Sequence, residues 1–249
     1  MNFSLIDDGA FTGQHNMSFD IQLAENCKDD EVFFRMYQWK PYAISLGANQ
    51  NFSDVDLEKA KNEQIHVVKR PTGGRAIFHS EEITYSVICP LSFGLSPKEI
   101  YKSVSEALVS GLLKYDKRLD ETSLEQQQPN FNQILQSKSG GICFASTAKN
   151  EVKYTGKKLI GSAQKKMKNV VLQHGSILCG TKHKELVNFL NFPNETKVEL
   201  LKEINDKTIE IETILHEKVD YKRLRNCLTL GFQEYFGIKF NRVPVPESK

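Results

Sequence analysis

Long apolar runs are missing from this 249-residue chain: none approaches the roughly 20 residues that a bilayer-spanning helix needs, so no membrane segment is expected. Cysteine is sparse. Cys27, Cys89, Cys143, Cys179 and Cys227 are odd in number, far apart and without CxxC spacing, which argues against a disulfide framework and against a zinc site. A reducing cytoplasm is the compartment that pattern predicts. An excess of one charge is lacking too: 33 basic residues face 31 acidic ones, for a net charge of +2, and nothing marks a nucleic-acid binder. The first fourteen residues hold Asp7 and Asp8 and no basic leader before an apolar stretch, so no secretory signal is expected. The phosphate-loop spacing is absent, and His79 and His174 have no metal-ligating company in sequence. Neither a metal nor a bound cofactor is implied. What the chain does have is 39% hydrophobic residues, enough for one folded core.

The pattern of those residues predicts an α+β fold. Met17, Ile21 and Ala24 recur at helical spacing between His15 and Glu25, and Phe33 to Tyr37, Tyr42 to Leu46 and Ile65 to Val68 read as strands. Ser53 and Asp56 suggest a capping box for a short helix through Lys61. Glu82 to Ile88 alternates polar and apolar residues and predicts another strand, and Ile100, Val104, Leu108 and Leu112 predict an amphipathic helix over Pro97 to Tyr115. Asp116 to Gly141 is polar and reads as loops around a short strand near Phe131, with Gln126 to Gly141 as a lid. Glu151 to Tyr154, Lys158 to Gln164 and Val170 to Leu178 read as strands. A helical C-terminal extension over 181–240 and a loose tail at 241–249 complete a single catalytic domain, expected to be a monomer.

Two segments carry candidate chemistry. Lys69-Arg70-Pro71-Thr72-Gly73-Gly74-Arg75-Ala76-Ile77-Phe78-His79 combines a Gly pair, which lets backbone approach a ligand, with a local basic patch at Lys69, Arg70 and Arg75. A plain hairpin turn and a solvated charge cluster describe it equally well. Cys143 follows Ser139-Gly140-Gly141, and Lys158 precedes Gly161, Ser162 and Ala163. A thiolate beside an ammonium is the equipment for acyl transfer. Taken singly, the thiol reads more readily as a buried small hydrophobe, and the lysine as a surface residue like Lys157.

Together, the order and spelling of Arg70 to Ala76 with His79, Glu82 to Ile88, Cys143-Phe144, Gly156 to Gln164 and Leu172 to Leu178 resemble the biotin/lipoate protein ligase superfamily. Asn16-Met17 with Asp20, and the segment Trp39, Pro41, Ser45, Leu46, Gly47 and Gln50, belong to the same likeness. Within the superfamily the chain is most similar to the cysteine-dependent octanoyltransferases of lipoate assembly, through Cys143 and through Arg75, where ATP-using ligases more often carry a third glycine. It departs from them at Ser80, where an Asp is usual, and over Ala145 to Lys149.

The resemblance implies a mixed, largely antiparallel sheet flanked by helices. It also implies an octanoyl-[acyl carrier protein]:protein N-octanoyltransferase in which Cys143 forms a thioester acyl-enzyme and Lys158 supports it electrostatically. Arg70, Thr72, Gly73, Gly74, Arg75, His79, Gly161, Ser162 and Ala163 would bind substrate. Acyl carrier protein would be the donor, and a lipoyl domain or glycine cleavage H protein the acceptor. Backbone N–H groups near Gly74-Arg75 or Gly161-Ser162 are expected to face the oxyanion, Ile77, Val87 and Val171 to wall the acyl slot, and His79 is a candidate base. The rivals are an ATP-dependent lipoate-protein ligase, transfer between two lipoyl domains, and an inactive relative that only binds acylated carriers.

Overall fold

The alternating stretch that begins at Glu82 becomes the middle of a large sheet. In the computed structural model, which describes residues 1–127 and 149–243, it forms β6 (Glu82–Pro90), buried along its whole length. On either side lie β2 (Glu31–Trp39) and β10 (Val170–Leu178), both antiparallel to it. Beyond β2 the sheet continues through β1 (Asn2–Phe11) and β11 (Asn241–Arg242), paired in parallel. Beyond β10 come β9 (Lys157–Met167), β8 (Val152–Tyr154) and β7 (Thr122–Leu124), all antiparallel. A smaller sheet sets β3 (Ala43–Leu46) between parallel β4 (His66–Lys69) and antiparallel β5 (Ile77–His79). The α+β architecture with a mixed, largely antiparallel sheet is the one the sequence predicts.

One face of the large sheet is covered by two long helices. α3 (Pro97–Tyr115) starts where Ser96 and Glu99 cap each other, with Pro97 in the first helical position. Its periodic residues Ile100, Val104, Leu108 and Leu112 are all buried. α6 (Tyr221–Phe236) packs against α3 where Gly111 faces Leu228: a Cβ on Gly111 would come within 2.6 Å of the Leu228 Cα. Leu224, Leu228 and Phe232 join Phe34, Met36, Tyr85 and Val87 in this main core. A second core lies under the small sheet, where Ile44, Leu46 and Phe78 meet the 3-10 helix Thr181–Phe189 and α4 (Asn194–Lys207). The region expected as an extension over 181–240 therefore divides between two cores, since α5 (Ile211–Leu215) and α6 belong to the first.

Several local expectations change. α2 (Leu57–Asn62) is capped by Asp56, whose carboxylate accepts from the Lys59 N–H, while the capping box upstream pairs Asn51 with Asp54 rather than Ser53 with Asp56. The polar stretch after Asp116 contains β7, an edge strand too short to show alternation. Asn241 and Arg242, at the start of the tail expected to be loose, pair with β1. The short strand near Phe131, residues 128–141 of the proposed lid, Cys143 and the end of the tail lie outside the described residues. No helix of the described residues is long and apolar enough to cross a membrane.

Candidate active site

The opposite face of the large sheet is polar over its middle, beside an apolar cluster of Ile88, Val170 and Leu172 with Ala24. Two rows of side chains cross four strands in register: Arg35, Ser86, His174 and Ala163, then Tyr37, Thr84, Ser176 and Gly161. α1 (Gly13–Asn26), capped by Thr12, lies over them and turns Asn16, Met17, Asp20 and Ala24 inward. Two of those four are polar, because the sheet beneath holds a fully buried guanidinium. Arg35 donates to Asp8 at 2.7 and 3.0 Å, to Asp20 at 2.8 Å and to the Asn16 side chain at 2.8 Å. Its ring-facing side lies 3.9 Å from the Tyr37 ring centroid. Tyr37 and Ser86 also donate to Asp20. Burial alone would raise the Asp20 carboxyl, but His174 and the Arg35 charge outweigh it and hold Asp20 below its ordinary value. Ile21, expected on the buried stripe, is only half-buried.

Above this floor is a narrow cavity. Met17, Tyr37, Trp39 and Ile77 supply its apolar walls, and Ser45, Arg70, His79, His174, Ser176 and Lys158 supply polar atoms. Gly161, Ser162 and Ala163 line the side formed by β9. Val87 and Val171, expected as walls, belong instead to the main core on the other face, because they alternate with the inward residues of β6 and β10.

Lys158 is not the surface residue that its neighbour Lys157 suggests. It is 1% exposed, and its Nζ lies 3.1 Å from Glu151 Oε2. The other oxygen of Glu151 accepts from the Ser162 backbone N–H at 3.2 Å. That N–H, expected at an oxyanion, is engaged by the carboxylate that holds the lysine. Ser162 also shares a 2.7 Å hydrogen bond with Tyr85, whose phenol burial pushes up to about 12.

The Gly-rich segment is not a hairpin, since β4 and β5 flank β3 on opposite sides. It is an arch held from inside by Arg70. Buried at 4% exposure, Arg70 donates to the Ser45 carbonyl (2.9 Å) and hydroxyl (3.2 Å), to the Gly73 carbonyl (3.0 Å) and to the Arg75 carbonyl (2.6 Å). The basic patch is thereby reduced: Arg70 is inside, Lys69 is exposed and Arg75 half-exposed. Gly74 adopts φ 96°, and its carbonyl presses so closely on Gly47 that a Cβ there would overlap it. Gly73 and Gly74 are exposed at the tip. Thr72 turns inward and is fully buried, with Oγ1 2.7 Å from His174 Nε2. Burial holds the His174 imidazole below its ordinary pKa, with the charges of Arg70 and His79 adding to the effect and Asp20 opposing it.

His79, at the end of β5, is clamped on two edges and one face. Nε2 is 2.7 Å from Ser45 Oγ, Nδ1 is 2.8 Å from Glu82 Oε1, and Trp39 stacks on the ring at 4.1 Å. Trp39 is fixed in turn by its Nε1 donating to Thr84 at 2.6 Å. The structure thus gathers Arg70, His79, Gly161, Ser162, Ala163 and Lys158 around one cavity, sets Thr72 against His174, which lines it, and leaves Gly73 and Gly74 exposed and Arg75 half-exposed on the arch. Sequence reasoning passed over Asp8, Arg35, Glu82 and Glu151 as site residues. Arg35 had a signal, a lone cation inside the apolar run Val32 to Tyr37; Glu151 had none, being placed by a strand pairing across the sheet.

Octanoyltransferase LipM of Staphylococcus aureus is 29% identical over 99% of this chain and 91% of its own length. Octanoyltransferase LipM of Kyrpidia tusciae is 32% identical over 94% of this chain and 87% of its own. Among solved structures, a bi-partite lipoate protein ligase and its E2 lipoyl domain from Thermoplasma acidophilum superposes with a TM-score of 0.77 at 21% identity, covering 99% of this chain and 88% of that one. The model of the lipoyl protein ligase A/B catalytic domain matches residues 12–233, most of the chain, and the chain belongs to that family.

Proposed function

We propose that this protein is an octanoyltransferase of protein lipoylation, taking an octanoyl group from octanoyl-acyl carrier protein as a thioester on Cys143 and passing it to a lysine of a lipoyl domain. The observation that carries the reading is the cavity itself: apolar walls with a buried lysine among the lining residues, in a family member whose relatives are named octanoyltransferases. Burying the methylenes of an octanoyl chain between Met17, Trp39 and Ile77 contributes up to about 0.8 kcal/mol each. The chemistry needs no ATP, because exchange between thioesters is nearly isoenergetic and amide formation runs downhill.

Lys158 supplies positive charge to the thiolate and to the carbonyl oxygen of each tetrahedral intermediate. Glu151 sets its direction. The described residues on either side of the segment that carries Cys143 support this role for Lys158. Glu125 N–H donates to the Glu151 carbonyl and Asn150 N–H to the Glu125 carbonyl, both at 2.8 Å, so residues 125 and 150 meet beside the residue that holds the lysine. Arg70 and Thr72 shape the arch over the slot, with Lys69 and Arg75 on its outer side suited to an acidic carrier.

Intact-mass analysis after mixing with octanoyl-acyl carrier protein is expected to show a hydroxylamine-sensitive octanoyl adduct, absent from Cys143→Ser. An unmodified wild-type protein that instead catalyses ATP–pyrophosphate exchange overturns this reading in favour of an ATP-dependent ligase. Affinity for acylated carriers with neither adduct nor exchange leaves a binding protein. Equal loading from an octanoylated lipoyl domain identifies transfer between lipoyl domains.

A further inference from the structure

Resting on that reading, we propose that Ser45, His79 and Glu82 form a proton relay that accepts the proton released when the acceptor amine attacks the acyl-enzyme. The hydrogen-bond geometry fixes its direction. Glu82 Oε1 accepts from Thr84 Oγ1 at 2.5 Å and from Ser176 Oγ at 2.9 Å, and lies 2.8 Å from His79 Nδ1. A carboxylate oxygen in that position makes Nδ1 the protonated nitrogen and leaves Nε2 as an acceptor. Ser45 Oγ, 2.7 Å away, must then donate to Nε2. The Arg70 guanidinium, 3.2 Å from the same hydroxyl, can only donate, so it reinforces that orientation and favours negative charge on the oxygen as its proton moves on. Ser45 and His79 line the cavity, and Glu82 stands behind them.

A second observation favours a relay over a static brace. Glu82 is 1% exposed, its Oε2 has no hydrogen-bond partner, and among the described residues its ion pair is with His79 alone. A buried carboxylate with one oxygen unsatisfied gains when the ring beside it becomes an imidazolium. The site is thus arranged to hold a proton on His79 transiently.

The step balances without a co-reactant. The lysine amine adds to the thioester carbonyl; a proton leaves its nitrogen for Ser45 Oγ as the Ser45 proton passes to His79 Nε2. The C–S bond breaks, and the proton returns from His79 through Ser45 to the departing sulfur. The products are an amide and a free thiol. A relay is needed here because a lysine amine has a pKa near roughly 10.4, far above that of a thiol. Glu82 is a positioning residue in this scheme.

The test is single-turnover transfer from isolated octanoyl-enzyme to unmodified lipoyl domain, followed by intact mass in water and in deuterium oxide. In the wild type, amide formation is expected to slow in deuterium oxide, because two protons move along the relay. In Glu82→Gln, His79→Gln and Ser45→Ala, acyl-enzyme still accumulates, amide formation falls about 10²-fold, and the isotope effect shrinks. Variants that form amide within about threefold of wild type, or that lose acylation and amide formation equally, overturn the relay. So does a wild-type rate that is equal in the two solvents, which requires no variant to fold. A wild type that is never acylated overturns the thioester reading and the relay with it.

Discussion

Two hydroxyl–imidazole–carboxylate chains meet the same cavity, and they differ at the carboxylate. Ser45–His79–Glu82 ends on a carboxylate 2.8 Å from the ring, with an unsatisfied oxygen. Thr72–His174–Asp20 ends on one that stands 3.6 Å away and is already neutralised by Arg35 at 2.8 Å. The same three groups therefore serve different ends. Where the carboxylate charge is matched by a guanidinium, burial dominates and the imidazole is held neutral, a strut between the Gly-rich arch and β10. Where it is unmatched, the proposed relay has a carboxylate placed to stabilise charge that develops on the imidazole.

The comparison breaks most severely at Arg35. Arg35→Met leaves Asp8 and Asp20 buried without a cation and is expected to cost about 3–5 kcal/mol, read as a lowered urea midpoint or as loss of folded protein. Gly47→Ala strikes both chains together, because its Cβ displaces the arch that carries Thr72 and Arg70. A loss of about 1–3 kcal/mol, with slower octanoyl transfer, is expected in melts and single-turnover assays. Thr72→Val separates the two chains: it removes the hydroxyl at His174 alone, costs roughly 1 kcal/mol and leaves the solvent isotope effect on amide formation unchanged.

The smallest effect is the titration of His174. Its folded pKa lies below the unfolded value of about 6.5, so on acidification the unfolded chain binds a proton that the folded one refuses. Stability should fall as pH drops from about 6.5 towards the folded value, and His174→Asn should flatten that limb. An imidazole Hε1 resonance of His174 already in its protonated position at about pH 6.5 would contradict the assignment of His174 as the neutral strut.

The contrast also explains which parts of the site were legible in the sequence. Ile100, Val104, Leu108 and Leu112 predicted α3 because one helix face repeats locally, and the alternation from Glu82 predicted β6 because a strand does the same with period two. The arch was visible through Gly73-Gly74, and its motifs placed His79 and Lys158 in one family pattern. Its shape was not: Arg70 reads as part of a surface cluster with Lys69 and Arg75, and nothing local shows that it turns inward to Ser45. Partners supplied by sheet register, such as Glu151 for Lys158 or Asp20 for Arg35, depend on strand order and helix placement. They emerge only when the chain is folded. The helical face of α1 misled for the same reason, since Asn16 and Asp20 are buried to meet a cation fifteen or more residues away.

The ion pair of Lys158 and Glu151 bears on a hazard built into the proposed chemistry. On that proposal, an enzyme that hands an activated acyl group to a lysine has a lysine of its own in the same cavity. Its Nζ is held 3.1 Å from a buried carboxylate and is committed to that ion pair. Lys157, one residue earlier and half-buried, donates to the Asn205 carbonyl and faces away from this risk. In the proposed chemistry, pairing with Glu151 would let Lys158 lend its charge while tying up the competing amine nearest to hand.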